Sequence, residues 1–260
     1  MRKRSVKAIA VGALLLGSGG SALAVTIGGL TLPTGPSFMA GQIYETASVA
    51  SIGDVLAGYG KVDSIGSTAV ADLCAGCELT YAFGGYTVSS ISASEVRFSG
   101  GWVKFYLGYG ADKDFSTSNP GGSAGDLIEA TNGTLFLSLK GHAVDAAGHT
   151  FIGTGVGIGT VSPAGFGTGL ADVDTSAGGI ANAHFNASAI PALFGGPADF
   201  EIGSSFSALH PVYPAECPGG AACLRGSVDL SVTTVPEPGS YALWLAGLAA
   251  IGFVSRRRQR

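Results

Sequence analysis

From about residue 40 to residue 234, hydrophobic and polar residues tend to alternate in short runs rich in Val, Ile, Leu, Tyr, Phe and Thr, divided by Gly or Ser. A period of two is the mark of half-buried strands, because successive side chains point to opposite faces. The pattern predicts strands over residues 42–48, 54–65, 78–83, 86–91, 95–99, 102–107, 133–140, 150–161, 183–188, 198–207 and 226–234. Val103, Phe105 and Leu107 share one face of their run, and Trp102, Lys104 and Tyr106 the other, with Lys104 marking the wetter side. Gly100-Gly101 reads as a tight hairpin turn, and residues 109–125 read as a loop. Gly153, Gly155, Gly157 and Gly159 leave one face of their run bare, open to a second sheet or a bulky side chain. Many short strands at near-regular spacing, with almost no helical periodicity, predict an all-β domain. The expected form is a two-sheet β-sandwich of jelly-roll or immunoglobulin-like kind. An outer-membrane barrel is the rival, but the runs lack a regular ten-residue apolar-out pattern with aromatic girdles.

Both ends depart from this pattern. Residues 2–7 carry Arg2, Lys3, Arg4 and Lys7, residues 8–16 are apolar, and Ala22-Leu23-Ala24 is a small-x-small triplet. That order predicts a signal peptide over residues 1–24, cut by signal peptidase after Ala24, since the apolar run is too short for a comfortable membrane anchor. At the other end Val235-Pro236-Glu237-Pro238-Gly239-Ser240 leads into an apolar run over residues 241–254, then Arg256, Arg257, Arg258 and Arg260. The two prolines fix φ and remove backbone donors, so this stretch is an extended peptide open to a protease. The apolar run would span only about 21 Å as a helix. The terminal arginines can snorkel to lipid headgroups and favour the cytoplasmic side, so a short transmembrane helix is expected. The domain plan is thus a signal peptide over 1–24, a secreted domain over 25–234 and a sorting signal over 235–260.

This ending resembles the PEP-CTERM sorting signal of Gram-negative bacteria: Val-Pro-Glu-Pro, a short hydrophobic helix and an Arg cluster at the extreme end. The resemblance implies recognition by an exosortase, a membrane-embedded transpeptidase-like protease that cleaves near the motif and passes the protein to the cell surface or extracellular matrix. Val235, Pro236, Glu237 and Pro238 are then substrate residues with no catalytic role. Proteins with this signal are commonly encoded beside exopolysaccharide and biofilm genes. The resemblance covers residues 235–260 and implies nothing about the rest of the chain.

Composition sharpens the picture of the middle. The chain is 46% hydrophobic and only 12% charged, with 43 glycines, so it has apolar surface enough for a core but could not sustain long helices. Eight of the 14 basic residues lie at the two ends. The remainder, facing 17 acidic residues, leave the body at about −11, which excludes nucleic acid as a partner.

All four cysteines lie in the exported part, as Cys74-Ala75-Gly76-Cys77 and Cys217 with Cys223. Four cysteines allow three connectivities. The local pairs Cys74–Cys77 and Cys217–Cys223 are preferred, because each closes a Gly-containing turn that brings the Cα atoms within reach. A redox pair would want a helix after the first Cys, and a four-Cys zinc site a second CxxC; neither is present.

Other chemistry is sparse. Gly121-Gly122-Ser123-Ala124-Gly125 matches a nucleophile elbow but follows Asn119-Pro120 in a polar loop, where a strand is required. His142, His149, His184 and His210 have no ligand spacing. Asp112 with Asp114, and Asp172 with Asp174, could offer oxygens to Ca²⁺, yet neither continues into an EF-hand loop, so no cofactor is called for and calcium is the one opening. The expectation is an exported, non-enzymatic protein of the cell surface or biofilm matrix, tethered to the inner membrane before processing. The alternative is a carbohydrate-binding module holding exopolysaccharide, with Trp102, Tyr106 and Tyr109 as a stacking platform.

Overall fold

In the computed structural model the described residues are 24–33, 35–46, 49–118, 121–160, 162–208 and 224–234, with Leu248 and Ile251 beyond them. The predicted signal peptide ahead of Ala24, the pair Cys217 and Cys223, the motif Val235 to Pro238 and most of the apolar tail lie outside these residues. No helix among the described residues is long and apolar enough to cross a membrane.

The chain opens with a small hairpin, β1 (Val25–Ile27) and β2 (Leu30–Leu32), followed by the long strands β3 (Gly35–Glu45) and β4 (Val55–Ile65). A short β5 (Thr68–Ala69) and one turn of helix α1 (Val70–Leu73) lead to β6 (Cys77–Ile91) and β7 (Glu95–Tyr109). Helix α2 (Gly122–Thr131) precedes β8 (Thr134–His142), β9 (His149–Val156) and β10 (Ala164–Val173). A last helical turn, α3 (Asn182–Phe185), comes before β11 (Phe200–Ser207) and β12 (Arg225–Thr234).

The expected sandwich is corrected here: the long strands form one antiparallel sheet closed on itself as an eight-stranded barrel. Each pairs with its sequence neighbour, and β12 returns to β3 in unbroken register from Arg225 opposite Tyr44 to Thr234 opposite Gly35. One of the eight positions is shared. β8 pairs with the lower half of β7 and β9 with its upper half, and both also pair with β10, so they are a single strand interrupted by the excursion 143–148. Asp145 pins that excursion, accepting from the backbone of Ala147 and His149, from the His149 ring (2.6 Å) and from Arg97 (2.8 Å).

Alternation alone cannot distinguish the two architectures, since inward-facing residues alternate with outward ones in both. Glycine placement decides. Gly100 and Gly101 do not turn the chain; they sit inside the continuous strand β7 with φ of +75° and +92°. Gly85 (φ +72°) lies on the adjoining stretch of β6, where Tyr86 faces Gly100 and Gly84 faces Trp102. The two strands therefore bend together, which curves the sheet toward closure. A Cβ on Gly101 would stand 2.2 Å from the Tyr86 ring, so the bend also makes room for that ring.

Three further expectations change. Residues 78–91 are one strand, as are 95–109. Residues 183–188 contain the turn α3 in place of a strand. The glycine-alternating run ends at Val156, so Gly157 and Gly159, both at positive φ, belong to the following turn. Strand β10 is absent from the sequence reading, because Gly165, Gly167 and Gly169 occupy its inward positions where branched residues would have signalled it. Those glycines admit bulky side chains: a Cβ at 167 would meet the Phe151 ring at 2.2 Å, and one at 165 the Phe206 ring at 2.9 Å.

The inward faces are apolar, while Lys61, Asp63, Arg97, Lys104, Lys140 and Asp229 alternate with inward residues and point outward. An outer-membrane barrel has the reverse arrangement. On one flank α2 and residues 113–118 cover the outer face of β4 and β6 through polar contacts. Tyr59 donates to Asp126 (2.9 Å), Thr80 to the Ala130 carbonyl (2.8 Å), and the Phe115 amide to the buried Glu78 (3.0 Å), which also pairs with Lys61 of β4 (2.8 Å).

Candidate functional site

The barrel has two unlike ends, set by strand direction: β3, β6, β8–β9 and β11 run from one end to the other, and their partners run back. At the first end the interior is packed solid. Leu30 and Leu32 of the small hairpin, Leu79, and the aromatic series Phe136, Phe185 and Phe200 are fully buried, with ring centroids 6.3 and 5.8 Å apart along the series. The Cys74–Cys77 disulfide ties α1 to the start of β6 at this end.

At the other end the side chains of the described residues do not fill the interior. A cavity of about 80 Å³, counted as the space water centres can occupy, lies among Leu56, Phe83, Val96, Phe98, Phe151, Phe206 and their neighbours. Eight strands enclose an interior just wide enough either to be filled by side chains or to leave room for one small molecule, and in this barrel the described side chains fill one end and leave a cavity at the other. The space would take several waters, yet the wall is overwhelmingly apolar.

Three polar side chains stand out in that wall: Glu45, Tyr86 and Ser204. The alternation of β3 puts Glu45 on the same inward face as Ile43, while Tyr44 points outward beneath Arg225. No hydrogen-bond or ionic partner for the Glu45 carboxyl or the Tyr86 hydroxyl occurs among the described residues. Burial pushes the Glu45 carboxyl up to about 8, and raises the Tyr86 phenol as well. Tyr86 is held by its ring, which lies edge-on to Phe151 at 5.9 Å. The neighbouring Tyr81 differs, since its hydroxyl donates to the Gln42 carbonyl at 2.6 Å. Sequence reading missed the pair. The available signal was an acid in phase with Ile43 on the apolar face of its strand.

The residues singled out in the sequence fall elsewhere. Ser123 lies in the first turn of α2, half-buried, preceded by a loop in place of the strand an elbow needs. His142 is buried on β8 with both ring nitrogens engaged, by Asp172 (2.9 Å) and by the Phe194 carbonyl (2.8 Å). Burial works against its charge, but the two acceptors prevail and its pKa is raised; a ring facing two acceptors is best satisfied as imidazolium. Asp172 and Asp174 point to different partners, Asp174 binding Ser176. Asp114 accepts from Asn132. Among the described residues no group of three or more His, Cys, Asp or Glu could hold a metal ion.

Trp102 and Tyr106 share the outer face of β7, with Lys104 between them and its ammonium 5.3 Å from the Trp102 ring centre. The indole lies against Gly84 and Gly85, at whose positions a Cβ would be about 3 Å from it. Tyr109 gives its hydroxyl to the Gly28 carbonyl (2.9 Å) at the closed end. The three aromatics therefore do not form one open platform.

The predicted processing points converge. Val25 pairs with Leu32, and the next residue, Pro33, accepts at 2.7 Å from the hydroxyl of Thr234, the last residue of β12. Ala24 and Thr234 thus both leave the barrel at its closed end. Neither the curated proteins nor the solved structures searched contain a match to the chain. Residues 234–258 match the family model of the PEP-CTERM protein-sorting motif, so the chain carries that motif at its carboxy end, beginning on the final residue of the barrel.

Proposed function

We propose that the protein is an exported, non-enzymatic barrel of the cell surface or exopolysaccharide matrix, processed by an exosortase through its carboxy-terminal motif. The sorting motif over residues 234–258 carries this reading, because it implies an exported precursor anchored in the membrane and an exosortase as its processing partner. The placement of the motif adds to it. β12 ends where the motif begins, so only the short stretch 235–240 lies between barrel and apolar run, and the precursor would rest with its closed end toward the bilayer and its cavity facing away. The carbohydrate-binding alternative finds less support, since the exposed Trp102 ring rests against the Gly84–Gly85 backbone and has Lys104 beside it.

Intact-mass analysis of the protein from its native host, with and without the exosortase gene, tests the reading. The expected product begins at Val25 and has lost the apolar tail, whereas the exosortase-deficient strain retains that tail in its membrane fraction. An untrimmed tail in both strains would refute it.

A further inference from the structure

We propose that the open end of the barrel is a binding site for one small, predominantly apolar molecule with a single uncharged polar group, which Glu45 and Tyr86 receive. This goes beyond the sorting reading and does not depend on it. The argument begins with what is left unsatisfied. A buried polar group without a partner costs about 1–3 kcal/mol, and the great majority of such groups in folded proteins are paired. Here the half-buried Glu45 and the buried Tyr86, on strands β3 and β6, line one cavity with no partner among the described residues, and the other described residues of the wall offer no charge to either. Glu45 in particular could have been apolar at no loss to the barrel, since Ile43 before it on the same face is.

The wall selects the body of the ligand. Leu56, Phe98, Phe151 and Phe206 offer hydrocarbon and ring faces, and inward Gly153 keeps the space between Val96 and Phe206 open. A slender chain or small ring gains by leaving water for this wall at roughly 25 cal/mol per Å². The polar pair selects the head. A protonated carboxyl can donate and accept, and a phenol can do the same, so a hydroxyl or carbonyl group is satisfied from both sides. A ligand carboxylate would place a second acid beside Glu45 with no cation lining the cavity, and is disfavoured.

A photoreactive octanol carrying an alkyl diazirine tests the site on the full-length chain held in amphipol. The label should map to peptides containing inward residues of β3, β6 and β7. Excess octan-1-ol should suppress it, and octanoate should need roughly tenfold more to do so. Val228→Phe, which fills the cavity, should abolish that labelling. Should this variant not fold by circular dichroism, Glu45→Leu provides the second test and should weaken octanol competition by about three- to tenfold, the worth of one neutral hydrogen bond. Labels confined to outward residues or to the apolar tail would overturn the proposal. So would labelling that octan-1-ol does not suppress, or octanoate competing as well as octanol.

Discussion

The two ends of the barrel are built from the same alternating strands and yet have opposite interiors. At the closed end inward positions carry Leu, Met and Phe, and separate pieces of chain plug the opening: the β1–β2 hairpin, α1 and α3. At the open end inward glycines on β9 and β10 thin the wall, no helix caps the barrel among the described residues, and Glu45 and Tyr86 are left without partners. The described residues are therefore packed tightly where the predicted processing points emerge, and leave a cavity at the opposite end.

Matched truncations give the largest test of this contrast. Leu79→Ala, at the closed end, should destabilise the barrel by about 3–5 kcal/mol, since a fully packed site cannot collapse around the void. Leu56→Ala, beside the cavity, should cost only about 1–2 kcal/mol, because that side chain already lacks neighbours on one side. Equal losses by chemical denaturation would break the comparison. Gly101→Ala comes next: the new Cβ would strike the Tyr86 ring at positive φ, so a loss of about 2–3 kcal/mol is expected, largely recovered in the double variant Gly101→Ala with Tyr86→Ala. Reducing the Cys74–Cys77 bridge should cost about 2 kcal/mol by loop entropy, measured as a drop in Tm with a reductant that leaves the spectrum of the folded state unchanged.

The effects of pH are carried by three separate groups. Glu45 has its folded pKa raised to about 8, so the folded state holds a proton that the unfolded chain releases above its ordinary carboxyl range. Its contribution to stability falls as pH rises from about 4.5 to about 8, and Glu45→Gln should flatten that part of the profile. His142, midway along the barrel wall, also has a raised pKa. Its contribution is complete below the unfolded value near 6.5 and disappears as pH rises through the folded one. His142→Gln should remove that loss without changing the segment attributed to Glu45. Asp145 runs the other way: its carboxyl, lowered to about 2 chiefly by the His149 hydrogen bond, supports the 143–148 excursion above the ordinary carboxylate range and releases it as pH falls toward 2. Hydrogen exchange at Ala147 and His149 would report this directly, and Asp145→Asn should erase the acid-side change.

The strands were legible where inward positions carried side chains. Val103, Phe105 and Leu107 are buried and Lys104 faces outward, as the alternation required. They were illegible where glycine stood inward, as in β10, because a missing side chain leaves no hydrophobic period to read. The candidate site was less legible still. Glu45 and Tyr86 are ordinary residues in ordinary strands, and only the arrangement of β3 against β4 and β6 turns them toward one empty space.

By itself the sequence determined what local chemistry controls: the period of the strands, the basic-apolar-small order at the start, the sorting motif at the end and the reach of Cys74 to Cys77. Tertiary structure alone decided that the sheet closes, because pairing β12 with β3 joins segments about 190 residues apart and depends on coupled bends in neighbouring strands that no single stretch of chain encodes. It also decided which end is solid and which is hollow, since a cavity is a shortfall of side-chain volume summed around the whole barrel.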